Sequence, residues 1–157
     1  MDEIAALLAR FRELEPETYV YEPADEHTIR ELEAAFGRPL PPSYRAFLAR
    51  FGAISILDSS YSGIIHGKIE EGRGWAWTDT KYAREWCKLP EHYLVIEPDS
   101  DGFVCLDFSR VRADGECPVI YHMPFRTTPF NELGDSYGEW LKRSLESMIE
   151  EWSDAED

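Results

Sequence analysis

Apolar residues recur at helical spacing in the first third of the chain and predict three amphipathic helices. The first has Asp2 placed to cap it, and the second begins at Thr28, where Glu31 completes a capping-box pattern. Gly37 and Gly52 are placed to end the second and third helices, because glycine reaches the left-handed conformation without a Cβ clash. The stripes comprise Ile4, Leu7, Leu8, Phe11 and Leu14; Ile29, Leu32, Ala35 and Phe36; and Tyr44, Phe47, Leu48 and Phe51.

Runs rich in β-branched and aromatic residues follow, and they predict strands. Tyr93–Ile96 and Phe103–Leu106 are separated by the segment EPDSDG, which is typical of a tight turn between antiparallel strands. Asp58–Gly63 has the composition of a loop. The other segments predicted to be extended are Thr18–Glu22, Ile54–Leu57, Gly63–His66, Trp75–Trp77 and Val119–His122.

The order of these elements predicts an α+β fold with a mainly antiparallel sheet, an N-terminal helical cap and a C-terminal helix. A short helix from Thr80 to Cys87 is expected between strands, and Ser136 with Glu139 opens the last helix. The length of 157 residues and the lack of a repeat or a Gly/Ser linker predict a single domain. Its core is expected over about residues 25–150, followed by an acidic tail over about residues 150–157.

The charge of the chain excludes nucleic acid as the expected partner. There are 31 acidic and 16 basic residues, a formal net charge of −15, whereas phosphate binding depends on Lys and Arg. Residues 1–26 and 146–157 each carry a net charge of −6, so the long middle of the chain carries only −3. The two ends form one acidic face only if folding brings the first helix and the C-terminal tail together.

Composition also bears on location. No apolar run reaches the roughly 18–20 residues of a membrane span, and the acidic N-terminal segment is unlike a signal peptide. An odd number of cysteines without CxxC spacing fits reduced thiols, so a cytoplasmic protein is expected. Cys105, within the apolar run FVCLDF, is expected to be a buried hydrophobe and not a nucleophile.

The usual catalytic patterns are missing from the sequence. The histidines are scattered singly, no GxSxG elbow is present, and Gly72 and Gly74 lack the Lys-Ser or Lys-Thr of a phosphate-binding loop. We therefore predict no catalytic residue, no metal ligand and no cofactor. The histidines are His27, His66, His92 and His122.

A cluster of carboxylates is the most site-like feature. Glu97, Asp99 and Asp101 fit an acidic hairpin turn, a cation site or an edge that binds a basic partner, although an EF-hand loop would need more ligands. Trp75 and Trp77 would project to one side of a strand, either into the core or into an open groove. The candidate partner-binding residues are Glu70, Glu71, Trp75, Trp77, Glu97, Asp99 and Asp101.

The segment Thr28–Ala53 resembles the opening signature of the SUKH superfamily, which includes fungal cell-wall-assembly regulators and bacterial toxin-immunity proteins. The likeness rests on an acidic amphipathic helix, the Leu40-Pro41 elbow and an aromatic-rich helix, closed by Gly52-Ala53 where the family has Asn-Gly or a similar turn. Later pieces agree in order over about residues 25–150: the Tyr93–Phe108 hairpin, the strand Val119–His122, and Phe130–Leu141 as the closing aromatic helix.

The resemblance implies an immunity protein of a polymorphic toxin system, which neutralises a cognate toxin of the nuclease type or another toxin that acts on nucleic acid. An acidic binder suits a basic toxin physically. Two alternatives stay open: a regulatory interaction scaffold of the cell-wall-assembly type, and a small carboxylate- or cation-dependent hydrolase using Glu97, Asp99 and Asp101. The expected partner is a protein, not nucleic acid or membrane, and the sequence leaves the oligomeric state open.

Overall fold

A computed structural model describes residues 1–126 and 131–156, and these residues form five α-helices and seven strands. The α+β class predicted from the sequence is confirmed. The helices are α1 (Asp2–Leu14), α2 (Glu26–Phe36), α3 (Pro42–Phe51), α4 (Ala76–Cys87) and α5 (Tyr137–Glu156). The strands are β1 (Tyr19–Val20), β2 (Ile54–Ile56), β3 (Ser59–Tyr61), β4 (Tyr93–Pro98), β5 (Phe103–Asp107), β6 (Val119–His122) and β7 (Asn131–Gly134).

The strands form two antiparallel sheets, one ordered β1-β2-β3 and the other β4-β5-β6-β7. The backbone N–H of Ser62, just after β3, donates to the carbonyl of Ile96 in β4 at 2.8 Å, which joins the two sheets. The hairpin predicted from the turn composition is present, with Val95 opposite Cys105. Its turn is closed by the N–H of Asp99, which donates to the Gly102 carbonyl at 3.0 Å.

Both faces of the larger sheet are buried, and the side chains of β4 alternate between the two buried faces. Leu94 and Ile96 face the main core, which the sheet shares with α1, α2, α3 and α5. Tyr93 and Val95 face a second, smaller cluster that is covered by Ala83 of α4. Because successive side chains of a strand point to opposite faces, a continuous apolar run is what a strand covered on both sides requires.

The two acidic ends of the chain lie side by side in the fold, which is the condition for one acidic face. The rings of Phe11 in α1 and Trp152 in α5 meet edge to face with centroids 5.7 Å apart. The Lys142 ammonium of α5 lies 3.4 Å from the Glu3 carboxylate of α1. The segment expected as an acidic tail is helical, since α5 continues to Glu156. We call this paired region of α1 and α5 the acidic end.

The helix boundaries confirm the glycine stops and correct two caps. Gly37 ends α2 with a φ of +92°. Helix α2 begins before Thr28, because the Asp25 carboxylate accepts from the Thr28 N–H at 2.8 Å and is the true cap. Asp2 does not cap α1, since its carboxylate pairs with Arg50. At α5 the predicted cap is present, and the Ser136 hydroxyl accepts from the Glu139 N–H at 3.3 Å.

Three predictions about strands are wrong. Gly63–His66 forms isolated pairings and no strand. Trp75 caps α4, which begins at Ala76 and not at the predicted Thr80, so Trp77 is helical. The predicted loop contains β3, and β7 was not predicted. An alternation of only three residues, as in Trp75–Trp77, is compatible with the first turn of a helix as well as with a strand. The spacing of apolar residues alone therefore does not distinguish the two structures. Phe130, expected at the start of the closing helix, lies outside the described residues, and the helix itself begins at Tyr137.

Gly52 and Gly63 allow the end of α3 to contact the backbone segment between β3 and α4. The Ile64 N–H donates to the Gly52 carbonyl at 3.0 Å, and Gly52 itself has a φ of +72°. A Cβ atom at Gly63 would lie 2.0 Å from the Gly52 oxygen, far inside van der Waals contact. Any side chain at position 63 would therefore push the two backbone segments apart.

We expect Gly63→Ala to lower the free energy of unfolding by about 3 kcal/mol, because backbone must move to admit the methyl group. Urea denaturation measures this. Gly72→Ala is the matched control, because the nearest atom to its Cβ would be a Trp75 ring carbon at 3.9 Å. That control should stay within about 0.5 kcal/mol of the wild type. Similar losses for both variants would contradict the close approach as the cause.

Candidate partner-binding site

Helix α4 is held on the larger sheet so that one of its faces is left open. The Thr80 hydroxyl accepts from the Val95 N–H at 2.9 Å and donates to the Ala76 carbonyl at 2.7 Å. Ala83, one turn further, is fully buried against the sheet. Tyr82 and Trp86 point the other way, with 57% and 62% of their surface exposed.

A cleft of about 750 Å³ opens between α4, the β4–β5 turn and the start of β3. Five carboxylates and one basic side chain, Arg73, line it, so the cleft is predominantly acidic. We call it the acidic cleft. Its carboxylates belong to Asp58, Asp79, Glu97, Asp99 and Asp101.

Asp79 is the buried carboxylate of the acidic cleft, with 7% of its surface exposed. Its Oδ2 accepts from the Ser62 hydroxyl at 2.6 Å and from the Gly74 N–H at 3.3 Å. Its Oδ1 accepts no hydrogen bond from any residue that the structure describes. Burial raises the pKa of Asp79 to about 6, against the lowering effect of the Ser62 hydrogen bond.

Glu97 lies at the end of β4 and is partly buried. Its carboxylate has no hydrogen-bond or ion-pair partner within residues 1–126 and 131–156. Burial, followed by the negative charge of Asp99, raises the pKa of Glu97 to about 7. The acidic cleft is therefore lined by one carboxylate, Glu97, that has no partner among the described residues, and by a second, Asp79, that accepts hydrogen bonds from Ser62 and Gly74.

Asp99 and Asp101 differ although both belong to the same turn. The Asp99 carboxylate accepts from the Tyr121 hydroxyl at 2.8 Å and from the Ser100 N–H at 2.7 Å, so it holds the turn in shape. Asp101 is exposed on the cleft rim. The interpretation of this segment as an acidic hairpin turn thus describes Asp99, and Glu97, Asp99 and Asp101 all line the cleft.

A second depression, of about 430 Å³, lies on the outer face of α4, and we call it the α4 groove. It contains the predicted residues Glu70 and Glu71 together with the exposed Trp86. Thr78 and Tyr82 line both the groove and the acidic cleft, so the two depressions share a wall. The full lining of the groove is Glu70, Glu71, Thr78, Lys81, Tyr82, Glu85 and Trp86.

Trp75 and Trp77 line neither depression. The Trp75 indole N–H donates to the Ile65 carbonyl at 3.3 Å. Trp77 packs edge to face against Phe36, and the Arg84 guanidinium lies 5.2 Å from the Trp77 ring centroid. The prediction that both indoles project from one face of a strand is wrong, because both stand at the start of a helix.

The other candidate chemistry does not form a site. No three or more His, Cys, Asp or Glu side chains are arranged to hold a metal ion in the described part of the chain. Cys105 is fully buried, and burial raises the pKa of its thiol well above the ordinary value, as expected for a packed hydrophobe. His122 is also fully buried, and burial lowers the pKa of its imidazole.

The sequence profile of the SMI1-KNR4 cell-wall family, a SUKH family, matches residues 4–146. The chain belongs to the SUKH superfamily. The match includes nearly all of α1 and the first half of α5, so it begins before the resemblance over about residues 25–150 does. SUKH membership is consistent with an immunity or regulatory protein-interaction role, which agrees with a surface built from exposed aromatic and acidic side chains. None of the helices in the described residues is long and apolar enough to cross a membrane.

Sequence reasoning found the acidic turn but missed Asp58, Asp79, Tyr82 and Trp86. The spacing of Tyr82 and Trp86 indicates that they share one side of a helix, yet spacing alone does not indicate whether that side is covered. Asp79 and Glu97 are 18 positions apart, and only the packing of α4 against β4 brings them to one cleft. For Asp79 the available signal was an isolated acid among aromatic residues in AWTDTKY.

We expect Glu97→Gln to stabilise the protein at alkaline pH. A carboxyl whose pKa is higher in the folded chain loses folding free energy as pH rises from its ordinary value of 4.5 towards about 7. The neutral isostere removes that loss, so it should raise the free energy of unfolding by about 2 kcal/mol more at pH 8 than at pH 5. Chemical denaturation at the two pH values measures the difference.

Glu31→Gln is the matched control for this experiment, because Glu31 is exposed and forms no ion pair with any described residue. It should change stability equally at pH 5 and pH 8. If Glu97→Gln behaves in the same way, the carboxylate of Glu97 is not buried enough to oppose its own ionisation.

Proposed function

We propose that this SUKH protein is a cytoplasmic immunity protein that binds and neutralises a basic toxin. The observation that carries the proposal is the acidic cleft beside the exposed aromatic face of α4. The exposed carboxylates of Asp58 and Asp101, together with exposed Tyr82 and Trp86 on α4, form the combination of charge and aromatic area found at strong protein interfaces.

The charge of the expected toxin follows from its chemistry. A toxin that acts on nucleic acid must hold phosphates, which it does with Lys and Arg. An acidic inhibitor is steered onto such a surface and can occupy the substrate channel without performing any reaction. The net charge of −15 favours this encounter, and no catalytic group of the chain is needed for it.

The acidic end is a second surface that could attract a basic protein. There the Glu13 and Glu150 side chains are exposed. The acidic end lacks large exposed aromatic side chains among the described residues, since Phe11 is buried and Trp152 is partly buried. Interfaces depend on a few desolvated anchors more than on rim charges, so we favour the acidic cleft.

We expect the toxin to be encoded by the gene immediately upstream, and the test uses the toxin domain of that gene product. We expect the toxin domain to bind the chain, and we expect cells that express both proteins to survive. Asp58→Asn combined with Asp101→Asn should slow association about tenfold at low salt, because both carboxylates lie on the exposed rim. Surface plasmon resonance at two salt concentrations measures this rate.

Two control variants, each of which also removes two negative charges, distinguish an effect of the cleft from an effect of net charge. Glu17→Gln with Glu31→Gln removes two exposed acids outside both surfaces, and Glu13→Gln with Glu150→Gln removes two from the acidic end. Both should bind nearly as fast as the wild type. Slower association for the acidic-end variant alone would move the interface away from the cleft. Absence of both binding and protection would reject the immunity role.

The regulatory scaffold of the cell-wall-assembly type is the remaining alternative with support from the family match. It differs from the immunity role in the partner, not in the kind of surface. A regulatory partner would bind through the same acidic cleft but would not be toxic when expressed alone. The toxicity of the partner therefore separates the two roles.

A further inference from the structure

His122 is a fully buried histidine to which the described part of the chain offers no hydrogen-bond partner. It is the last residue of β6, and neither Nδ1 nor Nε2 of its ring has a donor or acceptor within residues 1–126 and 131–156. Buried polar side chains normally have such partners. A neutral imidazole tolerates these surroundings better than an imidazolium does, because the imidazolium carries a charge and two N–H donors.

The imidazole lies in the layer between the larger sheet and α4. Its ring centroid is 5.3 Å from that of Tyr93, which belongs to the smaller cluster that Ala83 of α4 covers. Ile120 belongs to the same cluster and stands two positions before His122, on the same face of β6. His122 is thus placed among the side chains that join α4 to the sheet.

The residues that follow His122 are attached to the end of α4, and we call residues 123–126 the strap. The Phe125 N–H donates to the carbonyl of Cys87, the last residue of α4, at 2.9 Å. Phe125 has a φ of +66°, a left-handed conformation that is strained for a bulky residue, and 66% of its surface is exposed. The strap is therefore strained and partly exposed, and His122 is the fully buried residue next to it.

A positive charge on His122 would find no free counter-charge in this layer. Burial, followed by the charge of His92, lowers the pKa of the His122 imidazole from its ordinary value of 6.5. Asp107 is a buried carboxylate beside the layer, but it already accepts from Ser109 and Arg110. The charged and titratable groups in or beside the layer are Arg84, Cys87, Glu91, His92, Tyr93, Cys105 and Asp107.

We propose that His122 is an acid-sensitive lock that holds the C-terminal half of α4 and the strap on the larger sheet. Protonation places a cation in the apolar layer, and the end of α4 and the strap then separate from the sheet so that water reaches the imidazole. Tyr82 and Trp86 stand on this half of α4, so acid displaces the exposed aromatic side chains of the candidate site. The lock acts in the free chain, so it goes beyond the proposed function and does not depend on it.

The direction of the effect follows from the linkage between protonation and folding. A histidine whose pKa is lower in the folded chain destabilises it as pH falls below the unfolded value of about 6.5. Asp79 and Glu97 act in the opposite direction, because their pKa values are raised and acid removes their unfavourable ionisation. Comparison with a variant that lacks only the imidazole therefore isolates the contribution of His122.

Nuclear magnetic resonance of the wild-type chain is the first test. The ring protons of His122 should titrate with a midpoint below 6.5, and the backbone amide signals of Ala83, Cys87 and Phe125 should change with the same midpoint. The amide signals of α1 should not follow this titration. A midpoint at or above 6.5, or a lower midpoint without changes at the three amides, would overturn the inference.

Amide hydrogen exchange of His122→Leu is the second test, because leucine is apolar and close to histidine in size. Between about pH 7.5 and about pH 5.5, the opening constants of the Ala83 and Cys87 amides should rise about tenfold more in the wild type than in the variant. This ratio is the limit for a histidine that stays neutral in the closed chain.

His27→Leu is the matched control, because His27 is exposed on α2. It should keep the wild-type change in opening between the two pH values. An equal change in His122→Leu and in the wild type would contradict the lock. A loss of protection that is as large in α1 as at the end of α4 would also contradict it, since acid would then unfold the whole chain. If His122→Leu does not fold, the wild-type titration alone decides the inference.

Discussion

The contact between Gly52 and Gly63 is the constraint on which the candidate site depends. The Gly52 carbonyl ends the helical cap and accepts from Ile64, in a space that no side chain at position 63 could share. That approach places Ser62 where its N–H meets β4 and its hydroxyl meets Asp79 at 2.6 Å. The helical cap, the joined sheets and the floor of the acidic cleft are therefore positioned by one short stretch of backbone.

The buried carboxylates of the acidic cleft lower the stability of the fold when they are ionised. Buried carboxylates resist ionisation, which is why the pKa values of Asp79 and Glu97 rise to about 6 and about 7. Some acids outside the cleft have cationic partners: Arg45 binds both Glu26 and Glu33, and Arg110 binds Asp107. A partly buried carboxylate such as Glu97, which has no ion-pair partner among the described residues, is a feature of binding sites, where function and stability are in competition.

The elements that were predicted correctly are those whose signal is local. Helical stripes, the glycine stop at Gly37 and the hairpin on either side of the Asp101-Gly102 turn depend on neighbouring residues. The predictions were wrong where the same residues are compatible with two different local structures. Trp75–Trp77 fits a strand and a helix start, and Ser59–Tyr61 has the composition of a loop but pairs with β2. Sheet pairing decides such segments, and their partners are distant in sequence.

The sequence by itself determined the α+β class, the SUKH resemblance, the acidic charge and the carboxylates of the β4–β5 turn. These follow from periodicity, composition and turn chemistry, which act over a few residues. Only the tertiary structure decided that Glu97 shares a cleft with Asp79, that Trp77 is packed while Tyr82 and Trp86 are exposed, and that α1 and α5 unite the acidic ends. Those facts depend on which surfaces pack together, and burial is a property of the assembled fold and not of any single segment.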